Sequence, residues 1–130
     1  MKIQLIADKK TLNILCAFCG KGKTHDFQLY KNSKTHMSEK IESVEDKGFQ
    51  GLQKLHANST IPVKASKNHK LTKEDKRLNR EISKRRIEIE HINRYIKRFH
   101  ILSYRSRNKW TRFALRASLI CGIYNFQHAS

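Results

Sequence analysis

The sequence predicts an α/β chain whose helices gather toward its C-terminal half. Three observations carry that prediction. Two short apolar runs of strand character, KIQLIAD and NILCAF, open the chain. Further short runs follow, broken by Gly and Pro, up to about residue 66. From Thr72 onward the apolar residues switch to helical spacing and keep it over two long stretches. With 130 residues the chain is long enough for one domain with a modest core. Residues 1–66 form its strand-rich part and residues 67–130 its helical, basic part.

Each element has a local reason. Residues 2–8 and 13–18 read as two strands joined by a turn at Asp8–Leu12, hence a hairpin. GKGKTHD breaks the pattern, and DFQLYKNSK follows as a short helix with Asp26 near its N-cap. KIESVE, residues 40–45, reads as a third strand ending at Asp46. DKGFQG is a glycine-bounded turn leading into a short helix, GLQKLH. STIPVKA reads as an edge strand, because Pro62 has no ladder donor. After the basic loop KASKNHK, Thr72 and Asp75 have the spacing of a capping box, opening a helix that runs to about residue 100. SYRSRN connects to a last helix, roughly 108–127, on which Trp110, Phe113, Leu119, Ile120, Ile123 and Phe126 are expected to pack.

The charge narrows the function. The chain carries 28 Lys and Arg against 11 Asp and Glu, a formal net charge of +17. That excess is larger than solubility needs and predicts attraction to a polyanion, above all nucleic acid. No apolar run approaches the length of a spanning helix, and the apolar start is too short for a signal peptide. The reading is therefore an intracellular, cytoplasmic protein with no membrane partner. Cys16 and Cys19 form a C-x-x-C, and Cys121 stands alone. The pair is either half of a zinc or redox site or two packing residues on an apolar strand; no second pair completes a four-ligand site.

Acids are scarce, so their positions matter. On a helix, Arg86, Glu90, Asn93 and Lys97 share a stripe about 60° wide. Beside it, Leu78, Ile82, Ile89, Ile92, Ile96 and Phe99 form an apolar stripe about 100° wide. Glu90 is thus a lone carboxylate among cations, at the border of the expected core. Asp46 is a second, placed where a strand ends and a glycine turn begins. Two such carboxylates could hold Mg²⁺ through hard oxygen ligands, with Arg86 and Lys97 on the flanking phosphates of a nucleic acid. Equally, Glu90 could pair with Arg86 or Arg94 one turn away, and Asp46 could be a turn residue before Gly48.

The residues also form a recognisable order. Arg86, Glu90 and Lys97 are spaced R-x-x-x-E-x-x-x-x-x-x-K, which resembles the third catalytic segment of DDE-type bacterial insertion-sequence transposases. The fuller motif has a Tyr where this chain has Ser83. EDKGFQG is similar to the family's D-K-G-Y-Q-G segment, with Phe49 in place of Tyr, and GKTHDF to its G-x-x-H-D-F segment. RFHILSYRSRNKWTRFALRASLICGIYNF resembles the family's C-terminal tail. The likeness covers essentially the whole chain.

What the resemblance implies can be stated residue by residue. The fold would be a partial RNase H-like one, a mixed sheet missing its first strand, with a helical C-terminal half. Asp46 and Glu90 would be two of three metal-ligating acids, serving two Mg²⁺ (or Mn²⁺) ions in DNA strand cleavage and transfer. Arg86, Lys97, Lys47, Asn93 and Arg94 would contact DNA, with His25 and Asp26 accessory. The partners would be transposon ends and target DNA, together with a second copy of the chain or an intact transposase. The family's first Asp belongs to a D-G-T segment before the hairpin, and this chain has none; Asp8, in the hairpin turn, is no substitute. The expectation is therefore a C-terminal fragment, inactive and marginally folded by itself, whose standing as an enzyme is open. The competing expectation is a basic nucleic-acid-binding module without chemistry.

Overall fold

The computed structural model describes residues 2–99 and 110–129, apart from the side chains of Trp110 and Thr111. It is a mixed α/β structure: strands β1 (Lys2–Ala7) and β2 (Ile14–Gly20), helix α1 (Asp26–Ser33), strands β3 (Ser43–Val44) and β4 (Ser59–Thr60), and helices α2 (Lys73–Lys97) and α3 (Trp110–His128). The expected mixed sheet is replaced, among the described residues, by two separate two-stranded sheets. The chain divides into two compact units, residues 1–24 with 88–130 and residues 25–87, so the division falls within α2.

In the first unit, β1 and β2 form the expected antiparallel hairpin. Its turn is held by Asp8, whose Oδ1 accepts from the Lys10 and Thr11 N–H groups at 2.7 and 3.2 Å. The register pairs Ile3 with Cys19 and Leu5 with Ala17, then shifts so that Ala7 faces Ile14. An irregularity of this kind changes which face a residue occupies. Here it buries Ile14 and leaves Leu15 66% exposed. The backbone of Ile14 is clamped by Asn125 on α3, whose Oδ1 accepts from its N–H at 2.8 Å and whose Nδ2 donates to its carbonyl at 2.9 Å. The core under the hairpin is Ile14, Ile92, Ile96, Phe113, Ala117, Ile120, Cys121 and Tyr124.

That core corrects the expected face of the last helix. Phe113 and Ile120 are buried as expected, but Leu119, Ile123 and Phe126 are exposed, Phe126 by 85%. The buried positions follow the spacing i, i+4, i+7, i+8, i+11; the exposed three lie on the opposite side. Because α3 carries apolar residues all round, its hydrophobicity alone does not fix which face packs. Trp110 lies outside the described side chains, and the connection 103–108 outside the described residues. On α2, Ile92 and Ile96 are buried here and Ile89 and Phe99 partly so.

Cys19 packs against this core as well. Burial pushes the thiols of Cys19 and Cys121 up, which favours the protonated form. That suits packing and disfavours the thiolate that zinc or redox chemistry requires.

In the second unit, β3 and β4 pair in parallel, Ser43 with Ser59 and Val44 with Thr60. Both strands are much shorter than the runs 40–45 and 59–65 expected for them. Beyond β4, Ile61 and Pro62 are buried and Pro62 offers no donor. The next backbone groups turn to α2 instead: Asn79 accepts from the Val63 N–H at 2.8 Å and donates to its carbonyl at 3.0 Å. Asn79 thus ties down α2 at the level where Leu78, expected in the core, is 45% exposed. Leu29, Tyr30, Leu52, Ile61 and Ile82 are buried in this unit, with His56 as the buried polar residue.

The capping box forms as its spacing requires. The Thr72 N–H donates to Asp75 Oδ2 at 3.0 Å, and the Asp75 N–H donates to Thr72 Oγ1 at 3.1 Å. At α1, His25 is the N-cap residue, without a side-chain cap bond, and Asp26 beside it is the first helical residue, near the N-cap as expected.

Candidate functional site

The second unit brings together segments that lie far apart in sequence. Asp46 sits two residues past β3, in extended backbone, and is the N-cap of a single 3-10 turn, Lys47–Phe49. Its Oδ1 accepts from the Lys47 N–H at 2.6 Å, which fixes the carboxylate at the start of the turn. From α2, Arg86 reaches the same oxygen with Nη1 at 3.4 Å. The Arg86 side chain is only 20% exposed, against 52% for Asp46. The arginine stem is therefore held by packing while the carboxylate keeps a solvent-facing side. A half-exposed pair of this kind contributes at most about 1 kcal/mol, so its value is orientation rather than stability.

The HDF segment meets the same turn. A Cβ placed on Gly48 would stand 2.5 Å from Asp26 Oδ2 and 3.3 Å from Asp26 Cβ. The Asp26 side chain thus occupies the space beside Gly48, and it would have to swing aside for a larger residue there. Gly51 closes the turn for a different reason: its φ is +97°, in the left-handed region, and a Cβ there would lie 3.3 Å from the Phe27 ring. GKTHDF and DKGFQG, adjacent only in the fold, are therefore fitted to one another through these two glycines.

The remaining residues singled out by sequence lie on or beside these elements. Lys47 and His25 are exposed, and Asp26 is half-buried. Glu90 follows Arg86 by one turn of α2, and it is exposed rather than at a buried border. Lys97 and Arg94 are exposed and Asn93 half-buried. Arg86 and Asp46 belong to the second unit; Glu90, Asn93, Arg94 and Lys97 belong to the first.

A neighbour of Asp46 was not visible as special in the sequence. Glu45 precedes it, and its Oε2 is buried with no hydrogen-bond partner among the described residues. Burial pushes its carboxyl up, against opposing contributions from the Ser43 hydroxyl and His56, with Glu42 adding a smaller upward push. His56 is held by a 2.8 Å bond from Nε2 to the Ile41 carbonyl. Glu42 itself pairs with Arg85 at 3.0 Å and accepts from Thr60 Oγ1 at 2.9 Å.

The donor chemistry can be tested against a divalent cation. Asp46 offers carboxylate oxygen on an ordered backbone, and Glu90 offers it on a regular helix. Among the described residues no three His, Cys, Asp or Glu side chains form a metal-binding group. Each carboxylate taken singly is a hard oxygen ligand of the kind Mg²⁺ accepts, one or two at a time, with water and substrate phosphate completing its shell.

An acid fixed at a glycine turn and paired with an arginine from α2 is what the second unit builds from these motifs. Residues 1–125 match the family model of the DDE superfamily endonucleases, and the chain belongs to that family. It is also 47% identical over 129 residues to the probable transposase for insertion sequence element IS702 of Microchaete diplosiphon. That alignment covers 99% of this chain and 47% of the relative, so the chain spans about half the relative's length. Both findings agree with the resemblance to DDE-type insertion-sequence transposases. No solved structure matches the chain. No helix among the described residues is long and apolar enough to cross a membrane.

Proposed function

We propose that this chain carries the second and third acid segments of a transposase catalytic site that cuts and joins DNA strands. The observation that carries this reading is the Arg86–Asp46 pair, in which the third motif's arginine meets the second motif's aspartate at 3.4 Å. Two motifs recognised independently in the sequence are thereby joined by a direct contact.

In this reading Asp46 and Glu90 would hold Mg²⁺ or Mn²⁺. A bound divalent ion would supply charge neutralisation at the phosphodiester and an activated oxygen nucleophile. The protein's own contribution is positional. Arg86 aims the Asp46 carboxylate, and the Lys47 N–H keeps it from rotating. Arg86, Lys97, Lys47, Asn93 and Arg94 hold the phosphates and sugars on either side of the scissile bond, setting register without reading sequence. Asp26 backs the 3-10 turn from α1, and His25 before it is proposed as accessory on the family resemblance alone. The first acid of the family's three is assigned to no residue of this chain. DNA ends and target are the proposed partners, and a second copy or an intact transposase the proposed assembly.

The test is metal binding by the chain with and without its two acids. Asp46→Asn with Glu90→Gln should abolish Mn²⁺ binding, followed by electron paramagnetic resonance in the presence of duplex DNA. The same double change should leave DNA affinity equal or higher, since two negative charges are removed. Unchanged Mn²⁺ binding would overturn the assignment of these acids. Lost DNA binding in a variant that still folds would favour a module whose acids shape a binding surface rather than a metal centre.

A further inference from the structure

A second cationic surface stands apart from the motif residues. Residues 64–84 contain eight Lys and Arg against three Asp and Glu. All eight cations are exposed. On α2, Lys73, Lys76, Arg77, Arg80 and Lys84 share a face about 100° wide, turned about 120° from Arg86. Preceding the helix, Lys67 sits in a tight turn closed by two backbone bonds, Ser66 N–H to His69 O at 2.9 Å and His69 N–H to Ser66 O at 3.2 Å. His69 in turn lies 3.5 Å from Asp75, the capping-box acid, so the turn is moored to the start of α2.

An ordinary solvated helix would intersperse its charges. Pairs of opposite sign one turn apart stabilise a helix, and like pairs destabilise it by similar amounts. Here Lys73 with Arg77, Lys76 with Arg80, and Arg80 with Lys84 are three like pairs at that spacing. Among the described residues, Arg77 with Glu81 at 3.9 Å is the one ion pair made by these eight cations. Of the other two acids, Asp75 is already engaged by the cap and by His69. The face is therefore costly in isolation and becomes favourable when a polyanion supplies the missing charge. Lys73, Lys76, Arg80 and Lys84 rise along the helix in steps of about 4.5 to 6 Å, close enough to follow successive phosphates of one strand.

We infer that the turn at Ser66–His69 and the Lys73–Lys84 face of α2 form a platform that grips the backbone of duplex DNA beside the proposed site. The inference rests on the transposase reading for the identity of the polyanion. Along α2, Lys73 lies about 20 Å from the level of Arg86 and Lys84 about 3 Å. The platform therefore engages DNA from the Arg86 level outward over about six base pairs, at about 3.4 Å each. Its contacts are to phosphate, so they fix where DNA lies and carry no sequence information.

The experiment compares two charge-matched variants of the full chain on a fluorescein-labelled 20-base-pair duplex of arbitrary sequence. One carries Lys67→Gln, Lys73→Gln, Arg80→Gln and Lys84→Gln. The other carries Lys9→Gln, Lys10→Gln, Lys21→Gln and Lys23→Gln, four exposed lysines on the hairpin unit. Each lost phosphate contact should lower the slope of log K against log salt by about 0.9. The platform variant should lose about 3 to 4 in slope and the control less than about 1. DNA-free thermal midpoints keep the comparison sound: the platform variant should melt at or above the wild type, because like-charge pairs have been removed. Equal losses in both variants would mean diffuse attraction by net charge and would overturn the platform. An unchanged slope in the platform variant would overturn it as well, and so would equal binding and slope on an RNA duplex of the same sequence. Failure of the metal-site reading is separable, since it is read from Mn²⁺ binding by the Asp46/Glu90 variant and not from the salt slope.

Discussion

Gly48→Ala isolates the contact that fits the HDF segment to the Asp46 turn. Gly48 is not among the residues with positive φ, so alanine is compatible with its backbone. Steric conflict is then the whole cost. The new methyl would stand 2.5 Å from Asp26 Oδ2 and 3.3 Å from Asp26 Cβ and Cγ. Comfortable contact lies near about 3.5 Å, so the carboxylate must retreat by about 1 Å. Because that oxygen ends a rotatable side chain at an exposed turn, moving it costs what an off-rotamer χ costs, about 0.5 to 1.5 kcal/mol. Asp26→Ala removes the offending oxygen and Cγ and leaves only the Cβ contact at 3.3 Å. In that background Gly48→Ala should be neutral, or stabilising by about 0.4 to 1 kcal/mol through the unfolded chain. The four proteins form a double-mutant cycle, measured by urea unfolding, with an expected coupling of about 0.5 to 1.5 kcal/mol. Equal costs of Gly48→Ala in both backgrounds would refute the reasoning, because the conflict would then lie with something other than Asp26. The cycle also reports on the site: a displaced Asp26 pushes on the turn that presents Asp46, so Gly48→Ala should weaken Mn²⁺ binding and Asp26→Ala should restore it.

Thr72→Ala removes one of the two reciprocal capping bonds of α2 and should cost about 1 kcal/mol, checked by urea unfolding, with Thr72→Ser close to wild type. Glu45→Gln should stabilise the chain at neutral pH. The folded carboxyl of Glu45 has its pKa raised, mainly by burial. Its stabilising contribution is therefore full below the unfolded pKa and is lost as pH rises through the folded one. The thermal midpoint of the wild type should fall relative to Glu45→Gln across that interval. Parallel pH profiles of the two proteins would show that Glu45 is ionised alike in both states.

Local chemistry was legible in the sequence, and choices made at long range were not. The capping box depends on residues three apart, and the hairpin on alternation within two short runs, so both could be read directly. The face of β2 could not. Regular alternation would bury Leu15, yet the shift at Ala7 buries Ile14 in its place, and the group that clamps Ile14 is Asn125, 111 residues away. For α3, apolar residues on every side drew Leu119, Ile123 and Phe126 into the expected packing face; the observed face is completed by Ala117, Cys121 and Tyr124 instead. β4 was overestimated because β-propensity continues past the point where Pro62 and Asn79 redirect the backbone.

The candidate site divides along the same line. Asp46 and Arg86 were identified by type and spacing, and the ion pair between them joins two motifs that the sequence offers separately. Gly48 and Gly51 look alike in DKGFQG, but they do different things. Gly51 is required by its own backbone, with φ at +97°, whereas at Gly48 the Asp26 side chain stands where a Cβ would go. That difference gives the HDF segment a physical role: Asp26 needs no contact with metal or DNA to matter, because it sets the space in which the Asp46 turn must close. A motif residue of this kind would be mistaken for a ligand if judged only by its carboxylate. Asp26→Asn separates the two roles. The amide occupies nearly the same volume as the carboxylate, so a packing role predicts Mn²⁺ binding close to wild type, while a ligand role predicts its loss.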